Sequence, residues 1–161
     1  MKSIIFIRHG KSSWDYDVAD KDRPLKERGI TDANNIGVAL AKMDLPIDFA
    51  FSSPANRALH TAMIVLHTMQ ANLNDFKVVK NLYDFAGEEV LSFVKSLDNK
   101  LETVLLFGHN HAFTHLVNTL GNSNIDNLPT AGMAIITFDV EKWTDLTKGR
   151  TEKLIFPKEL R

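Results

Sequence analysis

The feature that most constrains the fold is an alternation, along the whole chain, of short apolar runs with segments of helical periodicity. Residues Ser3 to Ile7 form the first run, which is typical of a strand buried on both faces. Further runs that predict strands cover residues 49–51, 77–80, 103–107, 134–140 and 153–156. Strands that alternate with helices predict an α/β fold: a three-layer α/β/α sandwich with a mostly parallel central sheet.

Helical periodicity predicts four helices between these strands. Their apolar stripes cover residues 30–43, 54–69, 90–97 and 113–120. For the second helix, Ser53 suits the N-cap position and Pro54 suits the first helical position. Residues 11–24 are polar and without periodicity, so we expect a loop directly after the first strand.

Length and composition limit the classes of function. A chain of 161 residues with 44% hydrophobic content suits a single domain over residues 1–161. The formal net charge of -1 gives no overall field, so we expect neither a nucleic acid nor a membrane as a partner. The absence of cysteine excludes disulfides and thiolate metal sites. With no charged leader and no long apolar run, we expect a cytoplasmic protein.

The fragment Gly10-Lys11-Ser12 follows the first strand and resembles the end of a nucleotide-binding P-loop. A P-loop has another glycine five residues before the Gly-Lys pair, because backbone amides must wrap the phosphates. In this chain that position is Ile5, inside the strand. Half of the nucleotide cradle is therefore missing, and the charged residues just before Gly10 need another explanation.

Charged side chains follow three of the predicted strands at their carboxyl ends. Arg8 and His9 end the first strand, Arg57 lies in the first turn after the second, and His109 follows the fourth. Because ligands of open α/β sheets bind beyond the carboxyl ends of the strands, we expect these four side chains to converge. Arginine matches phosphate oxygens with a fork of donors, and a helix N-terminus adds oriented amides. The set therefore predicts a site for a phosphoryl group.

Histidine in such a site can attack phosphorus, since neutral imidazole is abundant near pH 7 and the product is reactive enough to hydrolyse. We expect His9, on the least mobile element, to be the nucleophile. His109 would then stabilise the equatorial oxygens of the transition state together with Arg8 and Arg57.

Four fragments resemble one known family: "IRHGKS", "DRPLKERG", "SSPANRALHTA" and "FGHNHAFTHL". They are similar to the histidine phosphatase, or phosphoglycerate-mutase-like, superfamily, and closest to its short SixA-type phosphohistidine phosphatases. The resemblance covers nearly the whole chain. It implies a phosphoglycerate-mutase-like fold, a phosphate pocket of Arg8, His9, Arg57 and His109, phosphorylation of His9 in turnover, and no metal or organic cofactor.

The resemblance also proposes further site residues. Gly10, Ser12 and Arg23 are candidate substrate-binding residues, although a surface salt bridge explains Arg23 equally well. The acid of the family usually follows the third strand, where "NLYDFAGEE" offers three carboxylates. Asp84 fits the acid best by position, with Glu88 and Glu89 as alternatives.

Three alternatives to a phosphohistidine phosphatase stay open. A metal-dependent hydrolase could use His111 and His115, which are four residues apart, but their segment has no acidic residue. A pocket of two arginines and two histidines could also bind phosphopeptides without catalysis. A phosphomonoesterase for a small phosphorylated molecule would use the same frame. We favour a phosphorylated protein, specifically phosphohistidine, because the chain has no spare segment long enough for a lid.

Overall fold

A computed structural model describes all 161 residues, and its centre is one six-stranded sheet. The strands are β1 (Lys2–Arg8), β2 (Phe49–Ser52), β3 (Phe76–Val78), β4 (Thr103–Gly108), β5 (Met133–Phe138) and β6 (Arg150–Ile155). Their order across the sheet is β3-β2-β4-β1-β5-β6. The pairs among β3, β2, β4 and β1 are parallel, and the pairs that join β5 to β1 and to β6 are antiparallel. The predicted mostly parallel sheet is confirmed.

Four α-helices cover the two faces of this sheet. They are α1 (Glu27–Lys42), α2 (Asn56–Thr68), α3 (Glu88–Lys95) and α4 (Ala112–Leu120). Successive side chains of a strand point to opposite faces, so β1 contributes to two separate cores. Ile4 and Phe6 pack in one cluster with residues of α3 and α4, whereas Ile5 and Ile7 pack in the other with residues of α1 and α2. The result is the predicted three-layer α/β/α sandwich.

Some local predictions were wrong at their boundaries. The second helix begins at Asn56 with Ala55 as its N-cap, not at Pro54 with Ser53 as the cap. The hydroxyl of Ser53 still accepts a bond from the backbone N–H of Ala55 (3.1 Å), but it also bonds His109, which holds it outside the helix. The third strand starts and ends earlier than predicted, and residues Lys80–Leu82 form a turn of 3₁₀-helix. None of the helices has the length and apolar character needed to cross a membrane.

The strand register brings the polar residues to a common edge. Arg8, the last residue of β1, is level with Gly108 at the end of β4, and Ser52 of β2 is level with Phe107. The residues that follow these three strands therefore begin at nearly the same height above the sheet. β1 lies between β4 and β5 in the sheet, so the side chains at its end stand on a well-supported element.

Candidate active site

His9 stands directly after β1 with its ring held in one tautomer. Its side chain is buried, and its backbone N–H donates to the carbonyl of Gly108 (3.1 Å). The ring Nδ1 lies 2.7 Å from the carbonyl oxygen of Gly10. Because a carbonyl oxygen only accepts, Nδ1 must carry the proton, and the lone pair of the neutral ring is on Nε2. Arg57 Nε donates to this Nε2 at 3.3 Å, so the lone pair points towards Arg57.

His109 lies behind His9, with 5.3 Å between the two ring centroids. It is fully buried under the rings of Tyr83 and Phe85. Its Nε2 is 2.7 Å from the hydroxyl of Ser53, and its Nδ1 has no hydrogen-bond partner in the protein. His109 thus packs against the ring of His9 and has one buried ring nitrogen without a hydrogen-bond partner.

Burial keeps both histidines neutral in the free protein. Desolvation is the main cause that lowers the pKa of His9 to about 3. The hydrogen bond to Gly10 raises this pKa, and the charges of His109, Arg57 and Arg8 lower it. Desolvation is also the main cause that lowers the pKa of His109 to about 3, followed by the charge of Arg57. A histidine nucleophile must be unprotonated, so His9 is in its reactive form at neutral pH.

Three arginines share a pocket with His9, and two of them have donors without a hydrogen-bond partner. Arg8 donates from Nη1 to the carbonyl of Leu128 (2.9 Å), but its buried Nε makes no hydrogen bond. Arg23 lies with its guanidinium 3.5 Å from the centre of the Trp14 ring; its Nε is ion-paired with Asp20 Oδ1 (3.3 Å), and its Nη1 makes no hydrogen bond. Buried donors without partners are rare in proteins, and they mark a place where an anion is expected.

The arginines and His9 line one pocket of about 290 Å³ at the carboxyl edge of the sheet. Lys11, Ser12 and Asn110 also line it, and Trp14 and Phe85 are exposed at its rim. A larger cavity of about 440 Å³ contains neither histidine nor arginine in its wall. The smaller pocket is therefore the one with the groups for phosphoryl chemistry.

Gly10 and Ser12, proposed from the sequence as substrate-binding residues, have different positions. Ser12 lines the pocket, where it also pairs with Leu25 in an isolated β-bridge. Gly10 does not line it: a Cβ at Gly10 would lie 2.7 Å from the carbonyl oxygen of Gly29, so glycine permits close approach of the loop to α1. Its carbonyl oxygen fixes the tautomer of His9, as described above.

The acid assigned from the sequence does not fit this geometry. The Asp84 carboxylate accepts hydrogen bonds from four backbone N–H groups, those of Ala86, Gly87, Glu89 and Val90, at 2.9–3.1 Å. It therefore caps the start of α3 and does not line the pocket. The alternatives Glu88 and Glu89 are exposed in the first turn of the same helix and do not line the pocket either.

Sequence reasoning missed two polar residues of the site. Asp20 lines the pocket, and its carboxylate contacts both Arg57 and Arg23; Tyr83 donates to the same carboxylate. A usable signal for Asp20 was its position three residues before Arg23 in the aperiodic loop. His111 and His115 are not joined by a third histidine or by a carboxylate into a cluster that could hold a metal ion.

Two buried histidines and three arginines at the carboxyl edge of a mostly parallel α/β sheet form a candidate site for phosphoryl groups. The histidine phosphatase superfamily (branch 1) matches residues 4–88, more than half of this chain, and the chain belongs to that family. It is accordingly a histidine phosphatase by family.

Individual relatives share the sequence or the fold over most of the chain. An uncharacterised protein of Mycobacterium tuberculosis is 28% identical over 155 residues, which cover 89% of this chain and 93% of the relative. The solved structure of the protein histidine phosphatase SixA, complexed with tungstate, superposes with a TM-score of 0.84 and 22% identity over 99% of both chains. A mycobacterial glucosyl-3-phosphoglycerate phosphatase superposes with a TM-score of 0.68 and 15% identity, over 94% of this chain and 97% of that one. At these identities the two solved structures show the fold alone.

Proposed function

We propose that this phosphatase acts on phosphohistidine in proteins and forms a covalent phosphohistidine at Nε2 of His9. The observation that carries the proposal is the unprotonated Nε2 of His9, which accepts only from Arg57, in a pocket that also contains Arg8 and Arg23 with donors that have no partner. A phosphoryl group placed between them would meet a nucleophile on one side and bidentate cations on the other. The tungstate in the SixA structure is likewise a tetrahedral oxyanion.

In the first step the phosphoryl oxygens bind the arginines, and Nε2 of His9 attacks phosphorus. The P–N bond forms as the bond from phosphorus to the leaving atom breaks, and the leaving group takes up a proton. The His9 ring gains positive character in this step, and the bond from its Nδ1–H to the Gly10 carbonyl stabilises that charge. The negative charge that develops on the phosphoryl oxygens is stabilised by the buried His109 and by the charges of Arg8 and Arg57.

In the second step a water molecule attacks the phosphorus of phosphorylated His9. The P–N bond breaks, the electron pair returns to Nε2, and inorganic phosphate leaves the pocket. The depressed proton affinity of His9 favours this return, since its neutral ring is the stable form in the buried site. The enzyme is then ready for another cycle, and no metal ion takes part in either step.

The surroundings of the pocket support a protein substrate. Trp14, which is 75% exposed, and Phe85, which is half exposed, line the pocket, and the exposed Tyr16 lies two residues after Trp14. Exposed aromatic side chains grouped around a binding site are typical of surfaces that contact other proteins. SixA, which shares the fold over nearly its full length, is named as a protein histidine phosphatase.

A small phosphorylated metabolite is the second candidate substrate. Beyond the arginines, the pocket wall presents Lys11, Asn110 and Thr130, which could bind hydroxyl or carboxylate groups of such a molecule. The mycobacterial glucosyl-3-phosphoglycerate phosphatase shows that the fold also occurs in an enzyme named for a small substrate.

A substrate panel distinguishes the two. Phosphate release would be measured from a protein phosphorylated on histidine, from free phosphohistidine, from sugar phosphates and from phosphoglycerates. We expect the highest kcat/KM for the phosphorylated protein, and its loss in His9→Ala but not in the control His60→Ala, because His60 is exposed on α2. A sugar phosphate or phosphoglycerate cleaved far faster than phosphohistidine would overturn the proposed substrate.

A further inference from the structure

The pocket contains one carboxylate, that of Asp20, and the mechanism above assigns it no task. Asp20 begins the short 3₁₀-helix Asp20–Asp22 in the loop after β1. Its side chain is 44% exposed, so it borders the mouth of the pocket as well as the arginines. An acidic group in a site for anions repels its ligand, so its presence there requires a reason.

Asp20 contacts the same arginine side chains that the oxygens of a phosphoryl group would bind. Its Oδ2 accepts from Arg57 Nη2 (3.0 Å) and from the hydroxyl of Tyr83 (2.7 Å). Its Oδ1 lies 3.3 Å from Arg23 Nε, and its backbone carbonyl accepts from Arg57 Nη1 (2.6 Å). The carboxylate therefore joins two of the three arginines in the same pocket as His9.

The charge state of Asp20 depends on whether a bound phosphoryl group also contacts Arg57 and Arg23. Partial burial alone would raise its pKa, but the hydrogen bonds from Tyr83 and Arg57 and the charges of Arg57 and Arg23 hold the pKa below its usual range. A phosphoryl dianion in the pocket competes for the same cations and adds a negative charge beside the carboxylate. Both effects raise the pKa of Asp20 relative to the free protein, which favours uptake of a proton from solvent when substrate binds.

We propose that Asp20, and not Asp84, is the general acid of the reaction; this rests on the proposed function. As Nε2 of His9 bonds to phosphorus, the bond from phosphorus to the leaving atom breaks, and the carboxyl group of Asp20 gives its proton to that atom, the oxygen of an alkyl phosphate or the nitrogen of phosphohistidine. In the second step the carboxylate takes a proton from the attacking water while the hydroxide oxygen bonds to phosphorus and the P–N bond breaks. Tyr83 and Arg57 hold the carboxylate in position for both transfers.

Leaving groups of different quality test the proposal. Alkyl phosphates expel a poor leaving group, whereas phosphohistidine expels imidazole and needs little acid assistance. The experiment compares the parent enzyme with Asp20→Asn on O-phosphoserine, on aryl phosphates with graded leaving groups, and on free phosphohistidine. Asp22→Asn is the matched control, because Asp22 lies in the same 3₁₀-helix and its side chain is exposed and unpaired.

For Asp20→Asn we expect a loss of about 100-fold in kcat/KM on the alkyl phosphate, the scale of general acid catalysis, with little change on phosphohistidine. The dependence of log kcat/KM on leaving-group pKa should become steeper across the aryl series, which a purely structural role would not produce. Equal losses on all substrates would show that Asp20 only positions Arg57. Equal gains would show that it blocks the anion site, and either result overturns the proposal. Failure of the proposed function would appear separately, as a parent enzyme that does not hydrolyse phosphohistidine.

Discussion

Arg57 Nε donates a hydrogen bond to Nε2 of His9 across 3.3 Å, and both side chains are buried. The other two nitrogens of the same guanidinium bind Asp20, so all parts of the Arg57 fork are engaged in the site. One arginine thus links the nucleophile to the carboxylate that we propose as the acid. Its position in the first turn of α2 fixes the distance between them.

Replacement of Arg57 by alanine should cost about 3 kcal/mol of transition-state stabilisation, the scale seen for one preorganised donor. The physical reason is that the variant loses a phosphoryl ligand and the groups that orient His9 and Asp20 together. Arg57→Lys should recover little, because an ammonium group cannot reach both residues with a planar fork. The measurement is kcat/KM, with Arg150→Ala in the exposed part of β6 as the control. An Arg57→Ala enzyme within twofold of the parent would show that this guanidinium takes no part in catalysis.

The two histidines should make stability depend on pH in a defined direction. Their pKa values are lowered to about 3 in the folded protein, whereas unfolded histidine titrates near 6.5. Below about pH 6.5 the unfolded chain therefore binds protons that the folded chain does not, so the free energy of unfolding falls as the pH falls. Each histidine contributes up to about 1.4 kcal/mol per pH unit in this window.

Urea unfolding of the parent and of His109→Gln between pH 7.5 and 4.5 measures this effect. Acidic residues contribute equally to both proteins, so the difference between their pH slopes isolates the histidine. We expect a shallower loss of stability towards low pH in the variant. Parallel curves would mean that His109 is protonated as readily in the folded as in the unfolded state.

Asp84→Ala should lower stability rather than select among substrates. The substitution removes the acceptor of four backbone N–H bonds at the start of α3, and the loss of such a cap costs about 1–2 kcal/mol. Urea unfolding would measure this cost, and kcat/KM on alkyl phosphate and on phosphohistidine should change by the same factor at a temperature where the variant is folded. A selective loss on the alkyl phosphate would restore Asp84 as the acid.

Removal of divalent metal should leave activity unchanged. The positive charge that stabilises the phosphoryl oxygens comes from Arg8, Arg23 and Arg57, and no three histidines or carboxylates are grouped as metal ligands. Dialysis against a strong chelator, followed by assay with and without added zinc, tests this directly. Activity that disappears on dialysis and returns with zinc would favour the metal-dependent hydrolase.

The sequence predicted the parts of the site that regular elements position. Arg8 and His9 follow a strand that is buried on both faces, and the parallel register places them beside the residue after β4. The start of the second helix was predicted wrongly at Ser53 because of a tertiary contact. The Ser53 hydroxyl, which suits an N-cap, is hydrogen-bonded to the ring of His109.

The structure gives Asp84 a capping position, and a carboxylate before a helix has two common roles. Asp84 precedes an apolar helical stripe, a position typical of capping, which the sequence alone could have indicated. Asp20 lies in a loop without periodicity, where the pattern of residues does not predict which way a side chain points. Its role depends on contacts with Arg57 and Tyr83, which are 37 and 63 residues away in the chain.

The central claim is that His9 carries the phosphoryl group during turnover, and rapid-quench labelling tests it most directly. The enzyme would be mixed with a ³²P-labelled substrate, stopped in alkali, digested and mapped by mass spectrometry, with His9→Ala and His60→Ala in parallel. We predict an acid-labile, alkali-stable label on His9 that forms and decays at rates compatible with turnover, persists in His60→Ala and is absent in His9→Ala. Full hydrolysis by His9→Ala, or a label on another residue, would contradict the account.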